Sequence, residues 1–348
     1  VYLTRAKKTD GVPTVPSRWL MRVQALLRGL GLNDALDADR PWIGWARYRD
    51  KTLAERRPVL PPKPCPPLAA RPRQIGVSKI ETWMANPYAI FAQRILGLER
   101  LPDLGHAPDA SLRGMIVHAA MSQFSTRYPD SLPADIAAVI MQASADHFGD
   151  LRGSPRVWAF WRPRLQRFAQ WFSETEPARR DGVLRSLAEV DGMITLEAPA
   201  GPFKLTARAD RIDLTDAGAV ITDYKTGTAP SKKHVESGRR PQLPLEAAIL
   251  IAGGFGLPDV GAGTVRSLRY ISATGAEPAG VETHIADEGA SGLADMSVQK
   301  LTDMIARFDN PETPYAALRR PGFNYDYDDY AQLARVHEWS VDDGSGDV

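Results

Sequence analysis

Residues 207–227 read ARADRIDLTDAGAVITDYKTG and form the centre of the predicted fold. Its two halves run apolar or alternate with polar residues, which is typical of β-strands, and Asp216-Ala-Gly218 between them has the composition of a tight turn. Residues 184–197 show a similar pattern just upstream. The sequence therefore predicts three consecutive antiparallel strands, over 184–197, 203–214 and 219–225.

Three charged residues in these strands point to chemistry. Because strand side chains alternate, Asp223 and Lys225 project from one face, and Asp210 on the neighbouring strand can lie beside Asp223. Unpaired charges are costly in a core, and a divalent cation bound by the two carboxylates removes that cost. Oxygen ligands of this kind suit Mg²⁺ or Mn²⁺. Lys225 would then either orient the attacking water or stabilise charge that develops on a phosphate.

Helices are predicted on both sides of these strands. Apolar residues at helical spacing predict helices over 110–127, 134–148, 155–177, 241–253 and 290–308, and residues 263–272 are predicted as a further strand. Ser78 is predicted to cap an earlier helix that Pro87 interrupts. Gly114 and His118 stand one turn apart on one helix face, and the glycine allows another backbone to approach closely. The predicted fold class is α/β, a small mixed sheet flanked by helices.

The composition limits the classes of function. The chain has 348 residues with 43 basic and 42 acidic side chains, so any contact with nucleic acid must come from local patches. The single cysteine, Cys65, excludes an internal disulfide and a cysteine-bound zinc or iron–sulfur site. No apolar stretch is long enough to span a bilayer. These features predict a cytoplasmic protein that makes no membrane contact.

The chain is predicted to have three segments. Residues 1–57 are helical in pattern, with Ser17 as an N-cap, and the first residue is Val, which suggests a piece of a longer protein. Residues 58–73 contain a dense run of prolines, which favours an extended, semi-rigid linker. Residues 74–348 hold all the predicted chemistry.

The order of the motifs resembles that of the RecB-type nucleases of the PD-(D/E)xK fold: Gly-x-x-x-His, then Asp, then Asp-x-Lys, then Gln. Gln242 in PQLPLEAAIL matches the last of these. Over nearly the whole chain, the sequence resembles AddB-type subunits of the bacterial AddAB helicase–nucleases, which process double-strand breaks. The resemblance rests on three segments: VYLTRAKKTDGVPTVPSRWL, VSKIETWMANPYAIFAQRILGL and YDDYAQLARVHEWS.

The resemblance implies a role for each matching residue. The implied metal ligands are His118, Asp210, Asp223 and the backbone carbonyl of Tyr224, the implied catalytic lysine is Lys225, and Gln242 would position the site or the DNA end. It also implies a core like that of restriction endonucleases, and that residues 1–57 are the C-terminal end of a helicase-like region.

The chain departs from the family in two places. The family usually has an aromatic residue four positions after the glutamine, where this chain has Glu246. Many AddB proteins hold an iron–sulfur cluster through cysteines, and at one of those positions this chain has Asn86. We therefore expect no cluster, and we expect the aromatic tail from Tyr325 to Trp339 to fasten the domain by packing instead.

The roles of several other charged residues remain open. Glu189 is either a further metal ligand or a solvated strand residue. Alternation is expected to put Arg208 and Arg211 on the face opposite Asp210, where they would pair with carboxylates such as Asp213. The basic cluster contains Lys232, Lys233, Arg239 and Arg240, and it is either a phosphate-contacting loop or a solvated one.

Together these features predict a Mg²⁺-dependent deoxyribonuclease, an exonuclease acting on single-stranded DNA in double-strand break repair and recombination, with an AddA-like helicase–nuclease partner. Two alternatives stay open: a DNA-binding scaffold whose nuclease fold is inactive in isolation, and a stand-alone RecB-like exonuclease. ATP hydrolysis is not expected, because the chain has no Gly-x-x-x-x-Gly-Lys-Ser/Thr loop.

Overall fold

The structure is a computed structural model that describes residues 5–9, 11–36, 42–51, 59–101, 109–148, 155–257, 264–287, 289–325 and 328–340. The chain forms two compact units, residues 1–58 and 59–348. Parts of some predictions lie outside the described residues: positions 1–4, 10, 37–41 and 52–57 of the first segment, Pro58 of the linker, position 263 of a strand, and positions 326–327 of the tail.

The first unit contains a two-stranded ribbon and two helices. The ribbon pairs β1 (Lys8–Thr9) with β2 (Val12–Pro13), and the helices are α1 (Arg18–Gly29) and α2 (Trp42–Asp50). The predicted cap is confirmed, because the Ser17 hydroxyl accepts a hydrogen bond from the Leu20 amide at 3.3 Å. The assignment of this unit to a helicase-like region stays a prediction.

The second unit is built on a mixed six-stranded sheet, which confirms the predicted fold class. Its strands are β3 (Gln74–Gly76), β4 (Val183–Leu196), β5 (Phe203–Thr215), β6 (Gly218–Lys225), β7 (Val265–Ser272) and β8 (Val281–Ala286). The order is β3-β5-β6-β7-β8, and β4 pairs with β5. The antiparallel run from β4 to β6 is as predicted. Strands β3 and β8 are missing from the prediction, because β3 has only three residues and β8 is largely polar.

One edge of β5 has two partners. β4 pairs with β5 along nearly all its length, so β3 and β6 share the other edge. β3 pairs in parallel with residues 204–206, and β6 pairs antiparallel with residues 211–215. The two strands therefore point towards each other, and their carboxyl ends converge on residues 207–210. We call this stretch the edge gap.

The helices are α3 (Val77–Ala85), α4 (Pro87–Ile90), α5 (Ala110–Arg127), α6 (Ile136–His147), α7 (Pro155–Arg179), α8 (Lys232–Glu236), α9 (Gln242–Ile251), α10 (Ala290–Phe308) and α11 (Val336–Trp339). Pro87 separates α3 from α4 as predicted, and a π-helical turn, Phe91–Ile95, follows α4. The helix predicted to be capped by Ser78 begins two residues earlier, at Val77, with Gly76 at the cap. Among the described helices, none combines the length and apolarity needed to cross a bilayer.

The two faces of the sheet carry separate cores. On one face, α3, α9 and α10 cover β-strand residues such as Ile212, Ile221 and Leu268. On the other, α5, α6 and α7 pack with Tyr224 and Ile271. An interruption of the sheet is therefore a place where side chains from helices on its opposite sides can approach one another.

A buried ionic network lies behind β5, β6 and β7. The fully buried guanidinium of Arg211 contacts Glu176 and Asp213, both at 2.7 Å, so the predicted pairing with Asp213 is confirmed. Arg269 contacts Asp213 at 2.9 Å and donates to the Thr222 hydroxyl at 2.8 Å. The two arginines hold the pKa of Asp213 below its ordinary value, although burial alone would raise it. Three strands are thereby joined by charged contacts in addition to their backbone hydrogen bonds.

The proline-rich segment and the chain end are bonded to the second unit. The amides of Tyr315 and Ala317 donate to the carbonyls of Pro64 and Pro62, at 2.8 and 2.9 Å, so the described part of the predicted linker lies along the domain. Its role as a linker stays a prediction. In the tail, the Tyr325 hydroxyl donates to the Ala85 carbonyl at 3.1 Å.

Asp328 is the central residue of the tail contacts. Its carboxylate contacts Arg319 at 3.2 Å and accepts hydrogen bonds from the Asn86 amide at 3.2 Å and the Tyr330 backbone at 3.1 Å. Its side chain is 6% exposed, whereas that of its neighbour Asp329 is 44% exposed. The tail is thus fastened by polar contacts as well as by the predicted packing.

We predict that Asp328→Ala lowers the free energy of unfolding by roughly 2–3 kcal/mol, because it leaves buried charged and amide groups without their partner. The matched variant Asp329→Ala, at an exposed surface pair, is expected to change it by less than about 0.5 kcal/mol. Urea denaturation followed by circular dichroism measures both. Equal effects of the two variants would show that the tail contacts do not fasten the domain.

Candidate active site

The inward-facing positions of β5 change phase close to Asp210. Core-facing residues are odd-numbered from Phe203 to Ala209 and even-numbered at Ile212 and Leu214. On β4, Glu189 stands opposite Asp210 in the register and has φ 50°, a left-handed backbone conformation that costs a non-glycine residue on the order of 1–3 kcal/mol. The strands are therefore irregular at the position where the predicted ligand lies.

Asp210 occupies the edge gap and is bonded from two sides. Its Oδ1 lies 3.2 Å from Nδ1 of His118 on α5. Its Oδ2 accepts a hydrogen bond of 2.8 Å from the backbone amide of Tyr224 on β6. The backbone hydrogen bonding between β5 and β6 ends at Arg211 and Thr222. Beyond that point, the Asp210 side chain accepts the hydrogen bond of the Tyr224 amide in place of a backbone carbonyl.

His118, Glu189 and Asp210 form a candidate metal centre. Each offers one ligand atom, and these atoms all lie within 4.8 Å of one another. One imidazole and two carboxylates are a donor set that suits a divalent cation such as Mn²⁺ or Mg²⁺. Burial, and then repulsion by the nearby charge of Asp210, raise the pKa of Glu189, and a cation bound between the two carboxylates would relieve that repulsion. The residues present therefore fit a bound cation.

The second half of the site comes from β6 and α9. The Lys225 ammonium lies 2.7 Å from Oδ2 of Asp223 and donates to Oε1 of Gln242 at 3.1 Å. The Gln242 amide nitrogen donates to Oδ1 of Asp223 at 2.6 Å. These contacts form a closed ring of three side chains, so each fixes the direction of the other two.

Glu246 lies one turn after Gln242 and completes this arrangement. It is 1% exposed, and its Oε1 accepts a hydrogen bond of 3.1 Å from the Gln242 amide nitrogen. Both donor positions of the Gln242 amide are thus used by carboxyl oxygens, which leaves its carbonyl oxygen to face Lys225. Burial, and then the charges of Asp223 and Asp210, raise the pKa of Glu246 well above its ordinary value.

The protonation of the site follows from burial and close charges. Burial raises the pKa of Asp223 to about 6 even though Lys225 is in contact with it. Burial lowers the pKa of His118, but the hydrogen bond to Asp210 and the charge of that carboxylate outweigh this effect, so the pKa lies above its ordinary value. The same balance, with Asp223 as partner, raises the pKa of Lys225, which is therefore a cation that donates hydrogen bonds.

Most of the residues singled out in the sequence lie together. The structure groups His118 with Asp210, and Asp223 with Lys225 and Gln242. The backbone amide of Tyr224 donates a hydrogen bond to Asp210, and the role of the Tyr224 carbonyl as a metal ligand stays a prediction. The expected close approach of another backbone to Gly114 is not found among the described residues. A Cβ added at this glycine would have the side-chain hydroxyl of Thr226 as its nearest neighbour, at 3.5 Å.

The expectation for Arg208 is wrong. Its guanidinium contacts Glu189 at 2.7 Å and lines the same groove as His118, so it lies on the side of the candidate metal centre. The spacing of two residues from Asp210 already places it on that face of a strand. In the basic cluster, Arg240 forms an ion pair with Glu81.

Two site residues are missed or undervalued by sequence reasoning. The sequence leaves the role of Glu189 open, and only its backbone conformation and its distance from His118 and Asp210 assign it to the group. For Glu246, comparison with the family shows only the loss of an aromatic residue. Its helical spacing of four from Gln242 is the signal that could place the two side chains in contact.

A comparison with protein families matches residues 74–319 of this chain, more than half of it, to the PD-(D/E)XK nuclease superfamily. The matched range contains every residue of the site described above.

The chain is also similar to uncharacterized proteins of Rickettsia. It is 28% identical to one of Rickettsia felis over 273 residues, which are 74% of this chain and 30% of the relative. It is 30% identical to protein RT0391 of Rickettsia typhi over 192 residues, 53% of this chain and 22% of that protein. The match thus spans under a third of the length of either relative.

A solved structure, the crystal structure of SSO0001, covers 56% of this chain and 79% of its own at 15% identity and a TM-score of 0.21. A score of this size supports no comparison of the two sites.

We predict that metal affinity rises with pH across the titration of Asp223 and His118, because a cation must displace protons from both groups. Below the pKa of Asp223, about 6 in the ion-free protein, each displaced proton changes the affinity by about tenfold per pH unit. Calorimetric titration with Mn²⁺ measures this, and Asp223→Asn is expected to weaken binding and flatten the profile. The exposed turn residue in Asp216→Asn is the matched control, and an affinity independent of pH would contradict the prediction.

Proposed function

The chain belongs to the PD-(D/E)XK nuclease superfamily, and from that premise we propose that it hydrolyses phosphodiester bonds of DNA with the help of a divalent cation. The observation that carries the proposal is the meeting of an imidazole, three carboxylates and an ammonium at the edge gap. His118, Asp210 and Glu189 offer ligands from one side, and Asp223 with Lys225 adds an acid and a cation from β6.

The cation is proposed to be Mg²⁺, with Mn²⁺ as a substitute, held by His118, Asp210, Asp223, Glu189 and the Tyr224 carbonyl. When bound, it supplies Lewis-acid charge for a phosphate oxygen and makes water a stronger nucleophile near neutral pH. The three carboxylates supply three negative charges against the two positive charges of the cation, which favours its retention at the centre.

The chain's own residues then orient the reactants. Lys225 is protonated and 31% exposed, so it can donate hydrogen bonds to the attacking water or to a phosphate oxygen. Asp223 and Gln242 hold that ammonium in place from two directions. In the reaction the water oxygen bonds to phosphorus, the phosphorus–oxygen ester bond breaks, and the departing oxygen takes a proton.

We further propose that the substrate is single-stranded DNA, digested from an end in double-strand break repair and recombination, with a helicase–nuclease partner. Support comes from the resemblance to AddB-type subunits in the sequence at both ends of the chain. The match to under a third of the Rickettsia relatives is compatible with a nuclease domain that works inside a larger protein.

We predict that Lys225→Met and Asp223→Asn each reduce Mg²⁺-dependent degradation of single-stranded DNA at least about a hundredfold, because each removes a group aimed at the reacting atoms. Lys204→Met, at an exposed lysine on the neighbouring strand β5, is the matched control and is expected to retain the parental rate. Degradation of an end-labelled oligonucleotide measures all three, and EDTA is expected to stop the parent protein.

A parental rate in Lys225→Met would refute the assignment of the site. DNA binding without metal-dependent cleavage, also in the presence of the helicase partner, would instead favour a scaffold. Thermal melts of each variant distinguish loss of chemistry from loss of fold.

For the mode of digestion we predict that linear single-stranded DNA is degraded and that a covalently closed circle of the same sequence resists, because an exonuclease needs an end. Gel electrophoresis of both substrates with Mg²⁺ tests this. Equal loss of circle and linear strand would assign an endonuclease to the same site and leave the metal centre unaffected.

A further inference from the structure

A groove leads away from the candidate metal centre along α5. Its volume is about 670 Å³. The wall on α5 consists of residues spaced three or four apart, hence one face of the helix: Met115, His118, Ala119, Ser122, Gln123, Thr126 and Arg127. The other wall contains Glu189, Arg208 and His147. Two candidate metal ligands, His118 and Glu189, therefore stand at one part of the groove.

The helix that forms this groove is unusual in its charges. The sequence of α5, ASLRGMIVHAAMSQFSTR, contains no acidic residue over its 18 positions. A solvent-facing helix normally carries charges of both signs. On the groove face, the side chains beyond His118 are small or neutral, and the last of them, Arg127, is exposed and cationic.

Those side chains suit the backbone of a nucleic acid. Ser, Thr and Gln side chains donate hydrogen bonds to phosphate oxygens, and arginine adds a charge-assisted contact. The small side chains of Ala119 and Ser122 leave room for a sugar-phosphate chain to approach the helix. At the groove, Met115 is 58% exposed and offers an apolar surface to a base.

Carboxylates near the groove are engaged with neighbouring side chains. Glu189 contacts Arg208 at 2.7 Å, and Asp191 lies 3.8 Å from the same arginine. Asp146 accepts a hydrogen bond from Gln142 at 2.8 Å and one from Gln123 at 3.5 Å. The mouth of the groove carries the exposed cation Arg127 beside Thr126, and the one acidic residue among the described side chains that line the groove, Glu189, contacts Arg208.

We propose that this groove binds the DNA strand on one side of the bond to be cut, and that α5 contacts its phosphates rather than its bases. The proposal rests on the proposed function and names where the substrate lies. From His118 to Arg127 the helix rises about 13.5 Å, which corresponds to roughly four nucleotides at the phosphate spacing of about 3.4 Å along one strand. Binding through phosphates is independent of base sequence.

The test is the double variant Thr126→Glu/Arg127→Glu, which puts acids at exposed positions of the groove mouth. The matched control is Thr195→Glu/Lys204→Glu, which makes the same change of charge at two exposed residues paired across β4 and β5. For each protein, kcat/KM is measured with Mg²⁺ on a single-stranded oligonucleotide of about 20 nucleotides and on thymidine 5′-(p-nitrophenyl phosphate), which has one phosphodiester and does not fill the groove.

The ratio of the two kcat/KM values, long substrate to short, is expected to fall at least about tenfold in the groove variant and to stay at the parental value in the control. A ratio in the groove variant that equals the parental one would overturn the proposal, whatever happens to the individual rates.

A binding measurement keeps this proposal separate from the proposed function. Fluorescence anisotropy with the labelled oligonucleotide and Ca²⁺ reports binding even if the parent cleaves neither substrate, which would itself count against the nuclease assignment. Weaker binding by the groove variant than by the control supports the groove in either case, and equal binding by the two overturns it.

Discussion

The site depends on a constraint of sheet pairing: one edge of β5 cannot bond to β3 and β6 at the same positions. The two strands approach from opposite directions and stop at residues 206 and 211, so neither covers the stretch between them. Asp210 lies in that stretch and bonds the Tyr224 amide with its side chain. Because the sheet is interrupted there, His118 from one helical layer and Gln242 from the other can serve a single centre.

The charged side chains on the two sides of β6 differ in how completely they are paired with one another. Behind the strand, Arg211 and Arg269 are matched closely by buried carboxylates, and this network has no need of a ligand. At the front, Asp210, Asp223, Glu189 and Glu246 lie near Lys225, His118 and the partly exposed Arg208, and burial raises the pKa of three of these acids. Carboxyl groups whose ionisation is opposed by burial are stabilised as anions by a divalent cation, which takes the place of their protons.

Much of this could be predicted from the sequence. The helices, the β4–β6 meander and the face shared by Asp223 and Lys225 follow from local periodicity, which the chain obeys closely. Strand β3 and the partner change on β5 could not be predicted, because pairing between residues so far apart leaves no local pattern. Arg208 lies two residues from Asp210, so the alternation of strand side chains is enough to predict that both lie on the same face. Glu189 could not be assigned, because its left-handed backbone conformation breaks the two-residue period on which strand predictions rest.

The left-handed backbone at Glu189 has a consequence for how this chain can change. Glycine adopts that conformation without steric cost, so a sequence selected for folding alone would carry glycine there. A glutamate at this position gives up stability in return for a carboxylate beside His118 and Asp210. Libraries screened for heat resistance should therefore be enriched in glycine at position 189, and the survivors should be the ones that have lost their affinity for the cation.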